Sequence, residues 1–330
     1  DGKNHGLVFI LDWSGSMSRE MLDTVKQLYN LIWFCKKVSI PFDVYAFTNE
    51  WKRREQDATG QWNPKDNELP YEPQEYNLRV EEDFSLMNLL TSKVRTNELE
   101  YQLKNIWRIA SVFANTYGSR YSYPTRLCLS GTPLNESLIT LHKLLPKFQK
   151  DNNVEKVQCI VLTDGEANGL PYHVTVQRNW ESNPYLGCRN IHPHKCLLRD
   201  RKLGKIYKFD YNWYQFADVM LSNLKDNFPS VNFIGIRVLA NRDAKSFIRL
   251  YYPGGNDRIE RDWKKSKSFV IKNSGYDAYF AMSSTTLAQD AEFDVDEDAT
   301  KAQIKKAFVK SLKTRKLNKK VLGEFISLVA

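Results

Sequence analysis

Asp12-Trp13-Ser14-Gly15-Ser16 puts a carboxylate and two hydroxyls at alternate positions of one short turn. Side chains so spaced can converge on a single hard cation, and Mg2+ asks for six oxygens in a near-octahedral array. Two other segments offer the same chemistry. Gly131-Thr132-Pro133-Leu134 presents a further hydroxyl at the head of a helical stretch, and Thr163-Asp164-Gly165-Glu166 a further carboxylate. Taken singly, each reads as an ordinary helix N-cap. Taken together, Asp12, Ser14, Ser16, Thr132 and Asp164 bring only two negative charges to a divalent ion. An ion left under-neutralised, with an open position, favours an added anionic oxygen. A catalytic metal would also need a positioned base, and beside the motif there is only Glu166, which reads as solvent-facing. The chemistry is that of docking rather than hydrolysis.

A second constellation is Cys188, His192, His194 and Cys196. Two thiolates and two imidazoles are the ligand set of a structural Zn2+. The spacing is unusual, because the histidines flank Pro193 and the wrap is tight, so ordinary loop residues are the competing reading. Asp294, Asp296 and Asp298 do not make an EF-hand, since Ala299 stands where glycine is needed and Lys305 where the bidentate Glu belongs. There is no Gly-x-Ser-x-Gly elbow and no phosphate loop, so neither serine hydrolysis nor ATP binding by this chain is expected.

The elements that must position these residues follow a βα rhythm. Leu7–Leu11 is an unbroken apolar run ending at Asp12, as in a strand buried on both faces. A helical pattern from Glu20 to Lys37 and a strand at Ile40–Phe47 complete a βαβ unit, whose crossover is right-handed. Helices are expected at Leu99–Tyr117, Leu134–Phe148, Tyr214–Asn227 and Asp243–Leu250, with strands at Val157–Thr163 and Val231–Leu239. That order predicts a doubly wound, mostly parallel α/β sheet with helices on both faces, which is Rossmann-like. Thr48–Glu98 and Gly169–Asp210 break the rhythm and read as polar insertions at the carboxyl ends of strands. The basic, aromatic 258–270 segment reads as a solvated surface loop.

The 330 residues carry a formal charge of +9 and 13% aromatic side chains. Those aromatics exclude the disordered and fibrous classes, and no run of about 18 apolar residues marks a membrane span. Residues 301–330 hold nine Lys or Arg and one acid, which leaves the remainder at +1. The chain is therefore a near-neutral body, an acidic linker at 286–299 and a basic helical tail at 300–330. Nucleic-acid binding is confined to that tail as a secondary reading, to be recognised by steep salt dependence. Five cysteines, an odd number, suit a reducing, cytoplasmic compartment. A first residue of Asp rather than Met reads as a fragment of something longer.

The three motifs in this order resemble the metal-ion-dependent adhesion site (MIDAS) of von Willebrand factor A (VWA) domains. Asp-x-Ser-Gly-Ser-Met, Gly-Thr-Pro-Leu-Asn-Glu-Ser-Leu and Leu-Thr-Asp-Gly-Glu-Ala are similar to the VWA subunit of cobalt-chelatase type and its relatives in tailed bacteriophages. The resemblance covers about Leu7–Leu239; Trp13 and the two insertions are departures. It implies a VWA domain over 1–285 and a Mg2+ site (Mn2+ or Ca2+ in its stead) at Asp12, Ser14, Ser16, Thr132 and Asp164. It further implies a Glu or Asp ligand from a partner protein, and a MoxR-type AAA+ ATPase for which this chain is the adaptor. For a virus-encoded chain the compartment becomes the host cytoplasm. The alternatives are a chelatase or hydrolase subunit acting in cobalamin-type metal insertion, and a nucleic-acid- or virion-associated protein working through its tail.

Overall fold

The structure is a computed structural model that describes residues 4–37, 39–50, 69, 71–114, 123–163, 167–177, 179–180, 182–209, 216–239, 241–272 and 274–283. Asp164, Glu166, the acidic linker and the basic tail lie outside the described residues.

The apolar run at the start becomes β1 (His5–Asp12). It is followed by α1 (Met21–Lys37), β2 (Phe42–Asn49), β3 (Phe84–Thr91), α2 (Thr96–Phe113), α3 (Leu134–Asn152) and β4 (Lys156–Thr163). Four short strands come next, β5 (Pro171–Val176), β6 (Tyr185–Asn190), β7 (Leu197–Arg199) and β8 (Ile206–Lys208). The chain continues through α4 (Phe216–Asn227), β9 (Val231–Leu239), α5 (Ala244–Tyr251), α6 (Asp257–Ser266), β10 (Ser268–Ile271) and β11 (Ala278–Ser283). Seven strands form the central sheet in the order β10-β11-β9-β4-β1-β2-β3. All neighbours are parallel except β2/β3 and β10/β11 at the two edges.

Strand alternation divides the apolar side chains between two layers. Leu7, Phe9 and Leu11 of β1 pack with α1 and α2, while Val8 and Ile10 join the layer of α3 and α4. Both faces are thereby covered, which is why the parallel strands read as continuous apolar runs. From β1 the chain proceeds to β2 on one side, whereas β4 leads to β9 on the other. The crevice at the carboxyl ends of β1 and β4 is therefore the sheet's switch point, where folds of this kind build their sites.

Two expectations need correction. The 258–270 segment is no surface loop: α6 buries Ile259 and Trp263, one turn apart, and the edge strand β10 follows. Its basic residues occupy the opposite face, so the charge hid the amphipathic period. The first insertion also contains β3, which pairs antiparallel with β2 and so belongs to the sheet. The second insertion holds the hairpins β5–β6 and β7–β8. No helix among the described residues is long and apolar enough to cross a membrane.

Gly235 in β9 lies under two buried tyrosines: a Cβ there would sit 2.6 Å from Tyr279 Cδ2 and 2.8 Å from Tyr276 Cδ2. Gly235→Ala should lower the unfolding free energy by about 1–3 kcal/mol in a urea titration. Gly254→Ala, whose Cβ meets nothing within 4 Å, should leave the midpoint where it is.

Candidate metal centre at the carboxyl end of the sheet

Parallel pairing of Leu11 with Leu162 sets Asp12 beside Thr163 at the ends of β1 and β4. Asp12 is 0% exposed, and Thr163 Oγ1 donates a 2.5 Å hydrogen bond to its Oδ2. A carboxylate so placed is costly unless its charge is compensated by donors or a cation.

The loop that follows is tied down on three sides. Trp13 N donates to Phe47 O at 3.0 Å, joining the loop to β2. The Trp13 indole is buried, its Nε1 donates to Leu127 O at 2.8 Å, and its ring meets Phe113 of α2 edge-on at 5.8 Å. Ser14 then forms a parallel β-bridge with Ser130, through Gly15 N to Ser130 O at 2.9 Å and Ser130 N to Trp13 O at 3.4 Å. This bridge carries the chain leading to Thr132 alongside the first loop. Gly131 leaves room there for the Asn49 side-chain amide at the end of β2, which a Cβ would displace. Thr132 is half-buried, and Ser14 Oγ lies 3.0 Å from Ser16 Oγ, the first buried and the second exposed.

A buried carboxylate beside two adjoining hydroxyls, with a third hydroxyl on the bridged segment, is an all-oxygen donor set that fits a hard divalent cation. Of the five expected ligands, Asp12, Ser14, Ser16 and Thr132 fall in this one region, and Asp164 follows Thr163 directly. Among the described residues no group of three or more His, Cys, Asp or Glu side chains is arranged to hold a metal ion. Three of the five expected ligands are hydroxyls, which are not among those side-chain types. Cys188, His192, His194 and Cys196 are not arranged as such a group either, although the His192 and His194 rings lie 5.4 Å apart. Cys188 sits on β6, where its Sγ accepts from Arg79 Nη1 at 3.2 Å, whereas Cys196 Sγ accepts from His192 N at 3.4 Å within its own turn.

Three residues around the centre escaped the sequence reading. Thr163 read as a strand terminus, Ser130 drew no attention beside Gly131, and Glu136 stood only as one residue of the Gly-Thr-Pro-Leu-Asn-Glu-Ser-Leu motif. Glu136 is only 4% exposed. Burial, reinforced by the nearby charges of Glu81 and Asp83, pushes its carboxyl up to about 7. Its pKa is thus higher folded than unfolded, so the protonated side chain favours the fold. That contribution is complete below pH about 4.5 and is lost as pH rises towards 7, a difference of about 3 kcal/mol. Glu136→Gln should remove this slope, leaving the variant more stable than the parent at pH 8 but not at pH 4, by urea unfolding at both.

No family model matches the chain, and no curated protein is similar to it. Among solved structures it is similar to the crystal structure of the pilus adhesin SpaC from Lactobacillus rhamnosus GG, at 14% identity and a TM-score of 0.34. The alignment covers 93% of this chain and 30% of the adhesin, so the chain spans less than a third of that protein's length. A likeness this loose carries no argument about fold or function.

Proposed function

We propose that this chain is a VWA-type docking domain in which Asp12, Ser14, Ser16, Thr132 and Asp164 hold Mg2+. In this reading it is the adaptor of a MoxR-type AAA+ ATPase complex of the cobalt-chelatase kind. The observation that carries the reading is the Ser14–Ser130 bridge. It couples the Asp-x-Ser-x-Ser loop to the segment bearing Thr132 at the switch point of a parallel sheet, next to the buried Asp12.

The division of labour among the residues follows from their surroundings. Thr163 holds one oxygen of Asp12, which fixes the carboxylate's orientation. Trp13 anchors the loop through its indole and backbone, so the Ser14 and Ser16 hydroxyls are ordered before anything binds. Exposure of Ser16 leaves that side of the site open to an incoming side chain. When bound, the ion supplies an electrophilic position for an anionic oxygen, here a Glu or Asp of the partner. The two carboxylates in the set leave positive charge for that ligand to neutralise. The ATP-driven work belongs to the partner.

A gene for a MoxR-type AAA+ ATPase should neighbour this chain's own, and the test is capture of that ATPase on the immobilised full chain, in Mg2+ and in EDTA. Chelation and Asp12→Ala should each reduce capture at least tenfold. Ser14→Ala with Ser16→Ala serves as a second variant, with urea unfolding to verify that each variant folds. Capture unchanged by chelation and by both variants overturns the docking role.

A further inference from the structure

The two insertions meet. Leu78 bridges to Tyr172 of β5, with Tyr76 N donating to His173 O at 2.8 Å and Arg79 N to Pro171 O at 2.9 Å. Where this seam reaches the first turn of α3 there is a cavity of about 270 Å3, lined by Glu81, Glu82, Asp83, Glu136, Asn168 and Asn190 among others. Its charge is one-sided. Among the described residues no Lys or Arg lines it, and Arg79, which lies outside the lining, is 2.9 Å from both Glu81 and Glu82. The Asp83 carboxylate takes the Asn49 amide at 2.9 Å.

Glu136 supplies the second, independent sign of a ligand. It is 96% buried by its 4% exposure, it lines the cavity, and among the described residues no donor reaches its Oε2. A buried carboxylate oxygen without a donor is costly, and a donor entering the cavity removes that cost.

We infer that this cavity, assembled by both insertions, receives an organic cation: a primary ammonium or a guanidinium on an alkyl stem. A metal ion suits it less, because the space far exceeds an ion's and its carboxylates are not gathered for coordination. An ammonium brings three N–H donors and a guanidinium five, enough to reach Glu136 and the Glu81–Asp83 wall together. Such a group comes from a free polyamine or from a Lys or Arg of a polypeptide. The inference does not depend on the metal reading at Asp12, although Asn49 and Pro133, which also line the cavity, adjoin Gly131 and Thr132.

The test is calorimetric titration of the full chain in EDTA, which keeps the Asp12 centre out of the measurement. The probes are spermidine and a pentapeptide with one central Arg, with tetramethylammonium chloride, which has no N–H donor, as control. Saturable binding of spermidine or peptide, at least tenfold tighter than the control, is expected. Glu136→Gln and, independently, Asp83→Asn should each weaken it at least tenfold. Whichever probe binds tighter identifies the source. Binding no tighter than tetramethylammonium, or unchanged affinity in both folded variants, overturns the inference.

Discussion

A carboxylate with no exposure, held at the end of a parallel strand, is the constraint around which the carboxyl edge of this sheet is arranged. Asp12 cannot be carried there as an isolated charge. It accepts a hydrogen bond from Thr163 across the β1–β4 crevice, and the register Leu11↔Leu162 is what puts the two side by side. The same register makes β1 and β4 neighbours at the switch point. The loop after Asp12 then has little freedom, because Trp13 spends its backbone amide on β2 and its indole on Leu127. Ser14 is delivered to Ser130, and the Thr132 segment follows. One buried charge thus organises three chain segments that lie far apart in sequence.

What the sequence revealed of this arrangement depended on how local each signal was. β1, β4 and β9 were legible because strands buried on both faces must be apolar throughout. The helices α1 to α5 announced themselves through their period. The edge strands did not. β3 is half-exposed and mixes Ser, Asn and Thr with its Leu residues, and β10 is four residues long. In α6 the charged side chains outnumber Ile259 and Trp263, the two that are buried with Ser266. The metal-ligand candidates were readable because Asp-x-Ser-x-Ser is contiguous. The donor to Asp12 was not, since Thr163 lies 151 residues away. Of the Cys/His constellation, β6 carries Cys188, whose thiol meets Arg79, while the His192 and His194 rings lie 5.4 Å apart in the turn that follows.

Burial also changed the meaning of a familiar signal. An acid in the first turn of a helix is normally a favourable, solvated partner for the helix dipole. Glu136 occupies that position, but the insertions cover it, and desolvation pushes its carboxyl up to about 7. The residue type and position were visible from the start. The covering came from segments that looked like dispensable polar elaborations.

The seam between those insertions bears on the order in which the molecule assembles. Tyr71 meets His173 at 3.1 Å across 102 residues of chain, and Arg79 reaches Cys188 across 109. Contacts that close such long loops are entropically expensive until the sheet has already brought their ends together. The seam is therefore a late step, formed on a finished β1–β4–β9 scaffold. Beside those hydrogen bonds it carries Leu78 and Tyr172, which pack against the layer of α3 and α4. The acidic cavity therefore exists only once the seam has closed, whereas the Asp12 crevice needs the pairing of β1 and β4 alone.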